Sequence, residues 1–337
     1  MKQPVVSIIT PSFNRADVIR ETADSILSQT YPHWEWMVVD DGSTDGSREV
    51  LQSLAQQDGR IRLSYRDREP KGACTCRNIA VENCTGDYLI FLDTDDLLAP
   101  YCLEQRVAAM LASPDRDFII FPMLMFRFRK DDMNVLWNID SQQDDMERIL
   151  FGDAICQGTG TLWKRESFQK AGMWDERLLL WQDVELHLRS LLSGCIYGKR
   201  MDLPPDVYLR VSYVSISRTG FHSAAKLESR IRVMRQTVWQ VLAMGLRERY
   251  LEGIRHMFTD IYLGAANSRR LDTARSLMHM EEEWNLLSPR ERRWFRRYLL
   301  MQQLRLYRLP WLKQHLVGRL RRFVPTRQSN IGVIPYA

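Results

Sequence analysis

Apolar and polar residues follow two rhythms along this chain, and the rhythm changes at fixed places. Residues 5–9, Val-Val-Ser-Ile-Ile, form a short β-branched run of the kind found in a strand covered on both faces. The polar stop Pro11-Ser12-Phe13-Asn14 follows. Residues 16–29 then place Val18, Ile19, Ala23, Ile26 and Leu27 on one side of a helix. The unit repeats, with strands over 34–40, 61–65 and 88–92 and helices over 47–57 and 75–83. Strands separated by crossover helices predict a parallel sheet in a doubly wound α/β domain. Ligands of such sheets sit at the carboxyl ends of the strands. Three polar clusters fall there: Pro11 to Asn14, Asp40-Asp41 and Asp93 to Asp96.

Farther along, the pattern predicts strands over 118–129, 134–139 and 158–163 and a helix over 182–192. Pro204-Pro205 breaks that helix from a last strand over 207–211. From about Ala224 the pattern is helical almost throughout. Ser288-Pro289-Arg290-Glu291 has the spacing of a capping box with Pro at the first helical position. Pro310 and Pro325 divide the final helices.

At 337 residues, 45% apolar and 26% charged, the chain has room for roughly two domains of about 150 residues. No stretch reaches the roughly 18 apolar residues of a membrane-spanning helix. The start, Met1-Lys2-Gln3-Pro4, carries no signal-peptide pattern, and the six cysteines show no zinc-ligand spacing. Reduced thiols and a cytoplasmic location are the expectation. The net charge of +5 conceals an asymmetry: from Lys226 on there are 22 Lys/Arg against 9 Asp/Glu, a net of +13, which leaves −8 before it. An acidic front and a basic tail face different partners.

The densest charge lies at "FLDTDDLLAP", where Asp93, Asp95 and Asp96 crowd into four positions after an apolar strand. Like charges so close call for a positive partner. Asp93 and Asp95 can hold one divalent ion through oxygen, which suits Mg²⁺ or Mn²⁺ better than zinc. Capping of the helix that begins near Pro100 would need only one of them. At Asp40-Asp41 a carboxylate can either accept hydrogen bonds from a ribose or a base, or close an Asx-turn. Phe13 offers a ring that can stack on a base or simply pack.

Together "VSIITPSFNR", "VVDDGSTDGS", "GACTCRNIAVENCTGDYLIFLDTDDLL" and "WQDVELHLR" resemble, in order and spacing, the pattern of glycosyltransferase family 2. The resemblance spans residues 5–217. It implies a GT-A fold, a Rossmann-like nucleotide-binding sheet fused to an acceptor-binding half. On that basis residues 1–222 form the catalytic domain, with 1–96 binding the nucleotide-sugar and 97–222 the acceptor, and 223–337 form a basic helical extension. The resemblance implies that Pro11 and Phe13 flank the base of a nucleotide-sugar, usually a uridine diphosphate sugar, and that Asp41 hydrogen-bonds that base. It places Asp93 and Thr94 at the donor, Asp93 on the ribose or a metal-bound water, and Asp95 on the Mn²⁺ or Mg²⁺ that bridges the diphosphate. Arg77-Asn78 matches the family's Arg-Asn pair, with Arg77 at the donor site or paired with a loop Asp.

Asp183 matches the family's catalytic base, although the usual Glu-Asp pair is here Gln182-Asp183. Read alone, Asp183 and Glu185 would be a helix-start charge pattern. One base and one displacement imply inversion at the anomeric carbon. The resemblance implies transfer from the nucleotide to a glycan or lipid-linked hydroxyl, in cell-surface polysaccharide or lipopolysaccharide synthesis, and the lack of transmembrane helices leads to the expectation of a single sugar rather than a polymer. Thr159, Trp163 and Trp181 fall in the acceptor half as sugar platforms or core. His222 is a candidate for contact with the metal or diphosphate, and Arg210 and Arg218 for phosphate contact. In the tail, Trp294, Phe295, Tyr298 and Leu299, then Leu312, Leu316, Leu320 and Phe323, recur at helical spacing among arginines. That suits peripheral contact with an anionic membrane, or a cap packed on the catalytic domain. The rival readings are a haloacid-dehalogenase-like phosphohydrolase, whose Asp-x-Asp follows the first strand and not the fourth, and a catalytically degenerate scaffold on a membrane.

Overall fold

The computed structural model describes residues 3–211, 220–322 and 332–333. Met1, Lys2, Arg218, Phe323 and Pro325, named above, lie outside the described residues, as does the end of the 5–217 stretch. The first half runs β1 (Val6–Ser12), α1 (Ile19–Leu27), β2 (Trp34–Asp40), α2 (Ser47–Gln57), β3 (Ile61–Tyr65), α3 (Ala73–Asn83) and β4 (Tyr88–Phe91). Next come β5 (Leu97–Leu98), α4 (Cys102–Ala112), β6 (Phe118–Ile120), β7 (Met123–Phe126), β8 (Val135–Leu136) and α5 (Asp145–Leu150). A 3₁₀ turn at Gly158–Gly160 leads to β9 (Thr161–Lys164), α6 (Arg165–Lys170), α7 (Gln182–Leu192), β10 (Tyr197–Lys199) and β11 (Val207–Arg210). Five helices follow: α8 (Ala224–Ala243), α9 (Arg247–Asn267), α10 (Leu271–Trp284), α11 (Pro289–Gln303) and α12 (Pro310–Arg322), with β12 at Gly332–Val333.

The main sheet has the order β10-β6-β9-β4-β1-β2-β3. β1 to β4 are parallel, as the crossover pattern requires. β9 runs antiparallel between β4 and β6, so the sheet is mixed and not wholly parallel. The strand expected over 118–129 is two strands in two sheets. Pro122, which has no N–H to give a ladder, ends β6, and β7 starts a second sheet of order β12-β8-β7-β11-β5. Only Val135–Leu136 of 134–139 is strand, and the first residues of 158–163 form the 3₁₀ turn.

Alternate residues of β1, β2 and β4 feed opposite sides of the sheet. Ile9, Met37, Val39 and Phe91 enter one core; Val6, Ile8, Trp36, Val38 and Ile90 enter the other. The first of these cores continues without a break through α7 into α8, α9, α11 and α12, as far as Leu320. Gly253 lets α9 lie directly on α5: a Cβ there would sit 2.6 Å from Leu150 Cβ. The capping box at Ser288 and Glu291 is formed as expected. The apolar series of the tail points inward, because Phe295, Tyr298, Leu299, Leu316 and Leu320 are all buried. That series is core and not membrane face.

One buried ion pair ties the two sheets. The Arg106 guanidinium donates twice to Asp206, at 2.9 and 2.7 Å, and also to the carbonyls of Thr159 and Thr161. Neither side chain is exposed. Arg106→Met strands the Asp206 charge and should cost about 3–5 kcal/mol, read as a lower urea midpoint. Arg106→Met/Asp206→Leu should recover part of that loss, since no buried charge is then left unpaired. A double variant as unstable as the single one would contradict this account.

Candidate active site

β1 delivers Pro11 and Ser12 to the carboxyl edge of the sheet, and Phe13 follows with its ring 39% exposed. Lys71 Nζ sits 3.7 Å from the centre of that ring. Beside it, Asp40 and Asp41 divide the two roles that the sequence left open. Asp40 closes the turn, accepting from the backbone N–H of Gly42 and Ser43 and from Arg48 Nε at 2.7 Å. Burial opposes its charge, but these bonds hold its carboxyl below the usual range. Asp41 is free of the turn and accepts from Arg66 Nε at 2.5 Å.

The acidic loop after β4 is not three equivalent carboxylates. Asp96 is buried and accepts from the backbone N–H of Arg210 at 3.0 Å. Burial, then Asp95 and Asp93, push its carboxyl well above the usual range. Asp93 accepts from Arg77 Nη2 at 2.6 Å. Asp95 is partly open, its nearest cation being Arg15 at 3.9 Å. Burial and the Asp93 charge raise its pKa. Thr94 is buried, and its carbonyl accepts from the Thr22 hydroxyl, so it anchors the loop to α1. Among the described residues no three His, Cys, Asp or Glu side chains converge into a cage of their own. A hard cation at Asp95 would have to draw its other oxygen ligands from a bound phosphate or water, as Mg²⁺ and Mn²⁺ commonly do.

Arg210 clamps this loop. Its Nε donates to the Asp95 carbonyl at 2.9 Å, and Nη2 pairs with Glu21. His222 lies against Phe221 and Gly264 of α9. Among the acceptor candidates, Trp163 is fully buried with its ring stacked 4.0 Å from Phe118, and Thr159 is buried. Both are core. Trp181 alone is partly open. Its backbone is left-handed at φ 63°, rare for so bulky a residue, and its ring is packed 4.7 Å from the Arg230 guanidinium of α8. Arg230 in turn faces Phe221 and pairs with Asp260 of α9, so the C-terminal helices brace the start of α7.

Asp183 stands in the first turn of α7, and its Oδ1 accepts from the Gly158 N–H at 2.7 Å. A side chain at 158 would crowd this contact: an added Cβ would lie 3.3 Å from both Asp183 Oδ1 and Trp174. Glu185, by contrast, is buried and paired with Arg189, which is the structural role. Burial raises the Asp183 pKa; Arg77 and the Gly158 N–H oppose the rise and Asp93 adds to it. Gln182, where the family pattern has Glu, accepts from Arg77 Nη1 at 3.0 Å. Arg77 thus links the acidic loop to the start of α7.

A second reactive-looking pair, Cys156 Sγ and His187 Nε2 at 3.2 Å, lies beneath α7. Burial pushes His187 down to about 4 and the Cys156 thiol up, so both stay neutral and closed to solvent. Arg15, Arg66, Lys71, Gly158 and Arg230 were missed from sequence. Only Arg15, next to Asn14 in the first motif, carried a local signal.

The signature of Glycosyl transferase family 2 matches residues 7–172. An uncharacterised glycosyltransferase of Haemophilus influenzae is 37% identical over 229 residues, covering 66% of this chain and 86% of its own. The glycosyltransferase TuaG of Bacillus subtilis (strain 168), provisionally named for teichuronic acid biosynthesis, is 45% identical over 109 residues. That match covers 32% of this chain and 43% of TuaG, less than half of that relative's length. The crystal structure of S. aureus TarS 1-349 in complex with UDP-GlcNAc superposes with a TM-score of 0.67 at 15% identity, over 96% of this chain and 93% of that one. At that identity the likeness is one of fold, an α/β mixed sheet followed by C-terminal helices.

A base works only when ionised, so turnover should fall as pH drops through the raised pKa of Asp183. Gln182→Glu adds a negative charge and competes for Arg77, both of which disfavour the ionised Asp183. The acidic limb of the rate profile, measured at saturating donor, should then move to higher pH. An unmoved limb would remove Asp183 from the base role.

Proposed function

The chain belongs to glycosyl transferase family 2, and on that footing we propose that it moves one sugar from a nucleotide-diphosphate sugar, of the uridine type, to a hydroxyl of a glycan or lipid-linked acceptor with inversion. The observation that carries this reading is the Arg77 bridge. One guanidinium holds Asp93 at the donor edge and Gln182 beside the candidate base. Donor and acceptor chemistry are thereby kept at one place.

In this reading Phe13 takes the base on its open face once Lys71 moves aside, and Asp41, steadied by Arg66, accepts from the base N–H. Asp93 faces the ribose. Asp95 holds the divalent cation, which when bound supplies positive charge against the leaving diphosphate. Asp183 takes the proton of the acceptor hydroxyl as that oxygen attacks the anomeric carbon. Its Gly158 bond fixes one oxygen and leaves the other for the incoming hydroxyl. Trp181 forms the acceptor-side wall. TuaG's name places that relative in teichuronic acid biosynthesis, and TarS was crystallised with UDP-GlcNAc; the two support a cell-surface polysaccharide and a UDP-sugar here. A lipid-linked acceptor would put the enzyme on the cytoplasmic face of the membrane, touching it through the basic helices.

Calorimetric titration of a panel of nucleotide-diphosphate sugars, with and without Mn²⁺, tests the reading. One donor should bind in a metal-dependent way, and Asp95→Ala should lose that dependence. Asp183→Asn should leave donor binding unchanged and lower turnover by about 10²–10⁴-fold. Silence of the folded protein across the panel would favour a degenerate scaffold instead.

A further inference from the structure

The apolar residues of the tail that remain in water are not the ones its periodicity singled out. Leu300 and Leu304 at the end of α11, Leu306 and Leu309 in the connecting turn and Trp311 at the start of α12 are all exposed, Leu304 by 59% and Trp311 by 67%. Five large apolar side chains in twelve positions are more than isolated surface leucines. They sit at a sharp corner, where Arg305 turns left-handed at φ 57°, a single 3₁₀ turn spans Leu306–Arg308, and Pro310 opens α12.

The same corner is cationic. From Arg292 onward the sequence holds 11 Lys/Arg and no Asp or Glu. Nearer the start of α11, Arg292 pairs with Glu281 and Arg296 with Glu282 of α10. Arg305, Arg308 and Lys313 are exposed and form no ion pair among the described residues. Apolar tips and unneutralised cations therefore interleave on one turn.

We propose that this turn between α11 and α12 is a membrane-docking tip, Leu304, Leu309 and Trp311 entering the headgroup layer of an anionic bilayer while Arg305, Arg308 and Lys313 lie on its phosphates. The inference deepens the reading of a membrane-facing transferase and rests on it for its purpose, but its test does not use transfer. A bilayer satisfies both halves of the surface at once, since it offers anionic charge at the rim and hydrocarbon beneath. A nucleic acid backbone would answer the cations and leave the leucines in water.

The test is sedimentation of the full chain with vesicles of phosphatidylcholine alone or mixed with phosphatidylglycerol. The protein should pellet with the anionic vesicles and stay in solution with the neutral ones, and added salt should weaken the binding. Leu304→Ser/Leu309→Ser/Trp311→Ser should weaken partitioning by about tenfold or more. Donor binding and melting should be unchanged, because these side chains support no core. Wild-type protein that ignores anionic vesicles would overturn the proposal. So would a triple variant that pellets as well as wild type, which would assign the cations to a polyanion or an acidic protein. Lost donor binding with vesicle binding intact would sink the transferase reading and leave the docking tip standing.

Discussion

Arg77 is the interaction on which the site depends. It is a buried cation in α3, held against Asp93 on one side and Gln182 on the other, with its guanidinium 4.9 Å from the centre of the Trp174 ring and its Nε unpartnered. A buried charge is costly unless paired. The cost is offset here by the charges of Asp93 and, farther off, Asp183. Asn78, the next residue, fastens the same segment: its side chain donates to the Trp174 carbonyl and to Glu176, and accepts from the Trp174 N–H. Arg68 pairs with Glu176 as well. Three side chains from α3 and the loop before it therefore staple residues 174–182 to the first, parallel half of the main sheet, and Asp183 follows immediately.

The crowded carboxylates become intelligible within that frame. Each of the three has its own compensation. Asp93 has Arg77, Asp95 faces Arg15 from a distance, and Asp96 turns inward to the Arg210 N–H with its ionisation disfavoured by burial. Only Asp95 keeps an oxygen open to a ligand without a close cationic partner. The three carboxylates of the loop are thus set apart by their partners, and Asp95 is the one whose nearest cation stands off at 3.9 Å. Arg210 fixes this arrangement from β11, because it grips the Asp95 carbonyl and the Asp96 carboxyl.

Local pattern was a sufficient guide where a segment's neighbours come from its own unit. β1 to β4 and α1 to α3 lie where alternation and helical spacing put them, and the motif residues follow at the strand ends. It failed where a short strand is defined by its partner. Four residues of β9 have no period to show that they run antiparallel, and Pro122 decides the break in 118–129 only because the second sheet takes over after it. Trp163 was left open between sugar platform and core, because the Phe118 ring that stacks on it lies 45 positions away in the chain. For the same reason Arg66 on Asp41 and Gly158 on Asp183 were invisible, since each is a contact between separate elements.

The helical tail shows why two expectations for one segment need not compete. Amphipathic spacing over α11 and α12 was compatible with a cap on the catalytic core or with a surface for lipid. The periodic face answers the first: Phe295 and Tyr298 reach the core shared with α9, where the Tyr262 hydroxyl donates to the Phe295 carbonyl. That packing fixes which residues are left over, and the leftovers cluster where the two helices meet. Because α8 and α9 also brace Trp181 through Arg230 and Asp260, the helical region is coupled to the start of α7 by direct contact. Whatever engages the far corner of the tail thus bears on a body continuous with the start of α7, not on an appendage joined to it by a linker.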